Sequence, residues 1–145
     1  MRRTFQIVLL SLLALTSVSV LAADKVKFSR GQMNKLEETQ RAYDAALRWS
    51  TIEDALPYLD PEYTRENPMT DLEVSRYEQV KISSYQGGAN QRVGNDRMGR
   101  NVDVSVINKN TQQQREVRVQ EIWRWDAEDK RWLQASGLPD LWKTR

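Results

Sequence analysis

Neither cysteine nor histidine occurs in the 145 residues of the chain. The first absence excludes disulfide staples, so the fold must be held by its core; it also excludes a thioether-linked lipid anchor. The second removes the side chain used most often as a general base near neutral pH and the commonest zinc ligand. It also leaves every serine without the imidazole of a Ser-His-Asp triad. Glycine and proline are sparse, at six and four residues, and no Pro/Gly/Ser-rich linker, low-complexity tract or internal repeat interrupts the sequence. Gln86-Gly87-Gly88-Ala89-Asn90 follows a strand pattern and does not open a helix, unlike a phosphate-binding loop. Asp126, Glu128 and Asp129 lack the spacing and the glycine of a calcium loop. No metal and no cofactor is expected from these patterns.

An excess of either charge is missing too, once position is considered. The formal charge is +2, but Arg2 and Arg3 supply two of the 22 basic residues and all 20 acids lie from Asp24 onward. Beyond the first residues the chain is balanced, which removes the electrostatic footprint of a nucleic-acid partner. Charge is nevertheless segregated, with eleven acids and four arginines between Glu37 and Glu78, and six basic residues and three acids between Gln91 and Arg118.

A long apolar run occurs only at the start. Residues 1–22, MRRTFQIVLLSLLALTSVSVLA, have the arginines, the Leu/Val-rich stretch and the small residues of a secretory signal, with the cut expected after Ala22. The alternative is a retained membrane anchor, since the run is near the lower length limit for a spanning helix. With cleavage, residues 23–145 are expected to be one exported domain, periplasmic or secreted, without a stable membrane anchor. About 120 residues suffice to bury one core.

The order of periodicities gives the fold class. Ser29 with Gln32 makes a capping box, and Met33, Leu36, Gln40, Tyr43 and Leu47 recur at three- and four-residue steps, predicting a helix to Trp49. A turn or two of helix follows over Thr51–Leu56, stopped by Pro57, then a turn at Asp60-Pro61-Glu62-Tyr63. Thr70 and Glu73 form a second capping box opening a brief helix that ends near Arg76. From Tyr77 the period becomes two: Val80 and Ile82, then Val102, Val104 and Val106, then Val117 and Val119, alternate with polar residues. Hairpin turns are expected at Asn108–Thr111 and Asp126–Lys130, and a longer connection over Gly87–Gly99. Helices followed by an antiparallel meander predict an α+β chain, with a long N-terminal helix and shorter ones packed on a curved sheet of about four strands.

Three tryptophans crowd the last hairpin, EIWRWDAEDKRWL. Trp123 and Trp125 share a face with Val117 and Val119, and Trp132 meets them across the turn. Each ring buries roughly 150 to 250 Å², so they are expected in the core, where they would also line any pocket. On the same alternation Glu121 falls on the apolar face, where burial would raise its pKa toward a value useful for acid–base work. A β-bulge near Gln120 would instead turn Glu121 outward and Ile122 inward, and this is the preferred expectation. Asp103, between valines, is placed on the solvent face.

The helix QMNKLEETQRAYDAALRWSTIEDALPYLDPEY and the closing strands with IWRWDAEDKRWL resemble the nuclear transport factor 2-like superfamily, whose cystatin-like α+β roll folds helices against a strongly bent sheet. The resemblance implies a pocket inside the cone and a homodimer through the sheet. It implies little about activity, because such folds host many functions. Gln40, Tyr43, Leu47, Trp123, Trp125 and Trp132 are then the candidate pocket lining, and Glu121, paired with Tyr43, is the weak catalytic candidate. The expected role is non-catalytic binding of a small apolar ligand or of an envelope protein. The alternatives are a carboxylate-dependent lyase or isomerase, and a purely structural or interaction protein with a filled core.

Overall fold

The computed structural model describes residues 27–143; the signal-like segment 1–22 and its cut after Ala22 lie outside them. Helix α1 spans Arg30–Trp49. The Ser29 hydroxyl accepts from the Gln32 N–H at 3.1 Å, and the Gln32 side chain accepts from the Ser29 N–H at 2.7 Å, so both ends of the capping box close. Leu36, Gln40, Tyr43 and Leu47 are its buried face, as the spacing predicts, with the polar Gln40 included.

A short helix α2, Ile52–Ala55, runs into a single 3-10 turn over Leu56–Tyr58. The Asp60–Tyr63 stretch, expected as a turn, opens helix α3 over Pro61–Glu66. The Asp60 carboxylate caps the Glu62 N–H at 3.1 Å, and Pro61 sits at the first helical position, where its fixed φ suits a helix and its missing N–H costs nothing. The reciprocal Thr70–Glu73 capping box opens α4, Asp71–Glu78.

Five strands follow: β1 Val80–Gly87, β2 Gln91–Arg92, β3 Arg97–Asn108, β4 Gln114–Asp126 and β5 Arg131–Gln134. They form a curled antiparallel sheet in the spatial order β1-β3-β4-β5, with the two-residue β2 paired to the start of β3 inside the expected long connection. The helices lie against this sheet, and α1 packs on β1 and β5. The α+β class, with a long first helix and a four-strand path, is as the periodicities predict.

The expected bulge is in the wrong strand. Pairing of β3 with β4 runs without a shift from Arg97↔Arg124 to Ile107↔Gln114, so nothing turns Glu121 outward. The register shift lies instead in β1, between Ile82 and Ser84. An extra residue there reverses the alternation, so that Ile82 and Tyr85 both point inward. The Arg48 guanidinium donates to the carbonyl of Ser83 at the irregularity.

The tryptophans are where alternation places them. Trp123 and Trp132 are fully buried and Trp125 is half-buried. Trp125 and Trp132 are direct cross-strand partners with ring centroids 5.4 Å apart, edge to face. Trp132 also donates to the Gln32 carbonyl at 2.8 Å, and Phe28 packs on it. At the opposite end of α1, Trp49 is 72% exposed.

Candidate functional site

The inward positions of β3 and β4 carry two charged side chains among their apolar neighbours. Along β3 they are Met98, Arg100, Val102, Val104 and Val106, and along β4 Val117, Glu121 and Trp123. Arg100 and Glu121 are direct cross-strand partners, at 8% and 1% exposure. Arg100 Nε donates to Glu121 Oε2 at 2.7 Å, and Trp123 Nε1 donates to the same oxygen at 2.9 Å. The other oxygen, Oε1, accepts from the Tyr85 hydroxyl, which the β1 irregularity aims inward. Three donors therefore converge on one carboxylate, as burial of a charged group requires.

Asp44 of α1 joins from the other side, its Oδ1 accepting from Arg100 Nη2 at 2.7 Å. Two carboxyl groups thus face one guanidinium. Burial is the main cause that pushes Asp44 up to about 6, the nearby Glu121 adds to it, and the Arg100 ion pair only partly offsets them. For Arg100, burial opposes the charge but the two carboxylates outweigh it and hold its pKa above the ordinary value. Burial, followed by the field of Glu121, raises the phenols of Tyr43 and Tyr85 well above 10.

The third nitrogen of Arg100, Nη1, donates to no protein atom among the described residues. It lies against the bare backbone of Gly87, where a Cβ would come within 2.5 Å of it. Arg100 also forms part of the lining of a surface groove of about 500 Å³, together with Met33, Glu37, Gln40, Arg41 and Gly88–Asn90. Gln40 and Asn90 hold each other across this groove through two amide hydrogen bonds of 2.8 and 3.0 Å. Asp44 lies one helical turn beyond Gln40 with its side chain 20% exposed, and its Oδ2 accepts no hydrogen bond among the described residues.

The residues singled out from sequence therefore separate. Gln40 reaches the groove. Leu47 lines a different cleft of about 330 Å³ beside Trp49, Ile52, Tyr77 and Leu141. Tyr43, Trp123 and Trp132 pack in the interior, with Tyr43 edge-on to Trp123 at 5.5 Å, and Trp125 packs against that core. Tyr43 does not join Glu121: its hydroxyl is buried and has no hydrogen-bond partner among the described residues. Asp103 is on the solvent face in a two-point ion pair with Arg118.

Arg100, Asp44 and Tyr85 were not singled out from sequence. Extending the alternation of Val102, Val104 and Val106 back by one step would have found Arg100. Asp44 carries no such signal, because it lies beside the apolar stripe of α1 and gains its partner only in three dimensions. A second ion pair ties the helices to the sheet: Arg124 of β4 donates to both oxygens of Asp60 at 2.6 and 3.1 Å and holds that carboxyl below its usual range. Among the described residues no cluster of three or more carboxylates is placed to hold a metal ion, and no helix is long and apolar enough to cross a membrane.

No family model and no curated protein matches the sequence. Among solved structures the chain is similar to a SEC-C motif containing protein from Psychrobacter arcticus, with 7% identity over 77% of this chain and a TM-score of 0.55. It spans 64% of that protein's length. It is also similar to an NTF2-like protein involved in plasmid conjugation (9% identity, TM-score 0.47, 78% of this chain and 40% of that one). A third similar structure is a protein of unknown function with a cystatin-like fold from Nostoc punctiforme (11% identity, TM-score 0.47, 74% of this chain and 89% of that one). At such identities the likeness is one of fold alone: a long helix and its short successors wrapped by an antiparallel sheet.

Proposed function

We propose that this chain is an exported, non-catalytic binding domain whose ligand occupies the groove over Arg100. The single observation that carries the proposal is the state of the two buried charges. Glu121 has both oxygens occupied by three donors and is closed to solvent, whereas Arg100, which lines the groove, keeps one nitrogen without a partner among the described residues. A carboxylate so enclosed is out of reach of a substrate lying in the groove. The space between α1 and the sheet is taken up by Tyr43, Tyr85, Trp123 and the ion pair, so the ligand is assigned to the mouth of the roll and its polar lining. Export rests on the N-terminal sequence, and a mature form beginning at Ala23 is the expected product in a secreting host.

A polar fragment screen followed by amide NMR tests the site. Shifts centred on Gly88, Ala89 and Asn90 are expected, and shifts centred on Trp123 and Tyr43 would overturn it.

One observation favours a second reading, acid–base turnover at Asp44, the helix partner of Arg100. Asp44 holds its proton up to about pH 6 and has an oxygen that no donor engages among the described residues. Its test is exchange of α-protons of small ketones in deuterated water; exchange that Asp44→Asn abolishes would establish turnover and displace the non-catalytic reading.

A further inference from the structure

A second cavity, at the C-terminal end of α1, shares no lining residue with the groove over Arg100. It is the cleft of about 330 Å³ bounded by the end of α1, the edge strand β1 and the end of α4, a volume in the range of small-molecule sites. Its floor is apolar, because Leu47, Val80, Ile82 and Leu141 all belong to the core. Leu141 is tied down by its carbonyl, which accepts from Arg115 Nε at 2.9 Å. Two aromatic side chains stand in the walls. The Tyr77 hydroxyl donates to the Pro139 carbonyl at 2.7 Å, so Tyr77 offers the cleft its ring. Trp49 is the most exposed aromatic of the lining and has most of its apolar surface still in water.

The charged residues of the lining are Arg48, Lys81 and Lys109 on one side of the balance and Glu53 and Glu78 on the other. Hydrogen bonding to Thr51 and to its own backbone holds Glu53 below the usual carboxylate range, so it is a charged but engaged acid. Lys81 and Lys109 form no ion pair among the described residues. Arg48 is fixed in place: Nη2 donates to the Ser83 carbonyl at 3.3 Å, and the guanidinium carbon lies 4.7 Å from the centroid of the Trp49 ring. Neither contact neutralises its charge. An entering cation meets three positive groups and two negative ones, and an anion meets the reverse.

We propose that this cleft binds a small aromatic anion, an arene carrying a carboxylate or sulfonate, with its ring on the apolar floor beside Trp49 and its charge toward Arg48, Lys81 and Lys109. The inference goes beyond the groove over Arg100 and does not depend on it. The lining is biased by a single charge, and exposed ion pairs are weak in water, so the preference for an anion is several-fold.

Benzoate, benzylammonium and cyclohexanecarboxylate test this, because they carry a ring of the same size and change charge and aromaticity one at a time. Each is titrated into the exported protein while the backbone amides of Ser50, Ile52, Lys81 and Ile82 are followed by NMR, with those of Gly88 and Ala89 reporting on the groove. The expected result is saturable shifts at the cleft amides, with benzoate binding roughly fivefold tighter than either of the other two. Trp49→Ala should weaken benzoate about tenfold, and Lys81→Gln combined with Lys109→Gln about threefold. All three side chains are exposed, and the probe series on the wild-type protein does not depend on how the variants fold. Benzylammonium binding as tightly as benzoate overturns the charge of the ligand, and cyclohexanecarboxylate doing so overturns its aromatic character. Cleft amides that no probe moves, or that move with protein concentration alone as for a second copy of the chain, overturn the site, as do shifts confined to Gly88 and Ala89.

Discussion

Replacing Glu121 by leucine tests whether the carboxylate is a structural hub or an idle group. The substitution introduces an apolar side chain of similar size and withdraws the acceptor from Arg100 Nε, Trp123 Nε1 and the Tyr85 hydroxyl, all buried. Breaking a buried ion pair by removing one partner costs about 3 to 5 kcal/mol, and each orphaned neutral donor costs about 1 to 3 kcal/mol. These contributions are coupled and do not add, and Asp44 still faces Arg100, so a loss of about 4 to 6 kcal/mol is expected. That is a large share of the roughly 5 to 15 kcal/mol of a typical domain. Adding Arg100→Met should recover about half of it or more, because the guanidinium no longer lies buried beside an apolar side chain; Tyr85, Trp123 and a partly exposed Asp44 remain unpaired. Urea denaturation followed by tryptophan fluorescence measures all three proteins. A loss below about 1.5 kcal/mol for Glu121→Leu, or a double variant less stable than the single one, would refute the hub.

Other outcomes follow from the same contacts. Asp44 has a folded pKa raised from 3.8 to about 6, so its contribution to stability is fully present below pH 3.8 and is lost as pH rises through 6. Relative to Asp44→Asn, the wild type should weaken by about 1 to 2 kcal/mol between pH 4 and pH 7.5, a figure reduced from the full shift because the side chain is partly exposed; a gap independent of pH in parallel urea titrations contradicts this. Tyr43→Phe removes a buried hydroxyl that has no partner and should leave thermal stability unchanged or raise it by about 1 kcal/mol, whereas a clear loss would mean that the hydroxyl is bonded. Gly87→Ala would place a Cβ 2.5 Å from Arg100 Nη1; a destabilisation of about 1 to 3 kcal/mol is expected in calorimetry, and a neutral result would show that the guanidinium is free to move. Asp60→Ala removes both the α3 cap and the two-point partner of Arg124 and should cost about 2 to 4 kcal/mol, measured the same way.

Local chemistry made most of the fold legible. Ser29 and Thr70 begin their helices because each has a residue three positions on that completes a capping box, and the valines of β3 and β4 face inward because the strand period is two. The Asp60–Pro61 start of α3 reads as a turn in the sequence, since an acid before proline opens turns as well as helices. The direction of Glu121 was misjudged, because the bulge expected near Gln120 is absent and β4 keeps its alternation. The compensation for that buried carboxylate comes from Arg100, 21 positions away, and from Tyr85, 36 positions away. Neither contact can be seen from β4 alone, and the one that uses Tyr85 depends on an irregularity in β1 that two adjacent serines do not announce. The groove was less legible still. Gln40 was visible as an odd polar member of an apolar stripe, but its partner Asn90 lies in a loop and Asp44 lies beside the stripe.

The central claim is that the roll is packed inside and binds at its mouth. Native mass spectrometry of the protein exported through its own N-terminus and purified without detergent tests this most directly. The account predicts a bare chain, or one carrying a small polar compound. A tightly held lipid-like mass would contradict it, because the groove over Arg100 is lined largely by polar side chains and the interior is filled by Tyr43, Trp123 and the Arg100–Glu121 pair.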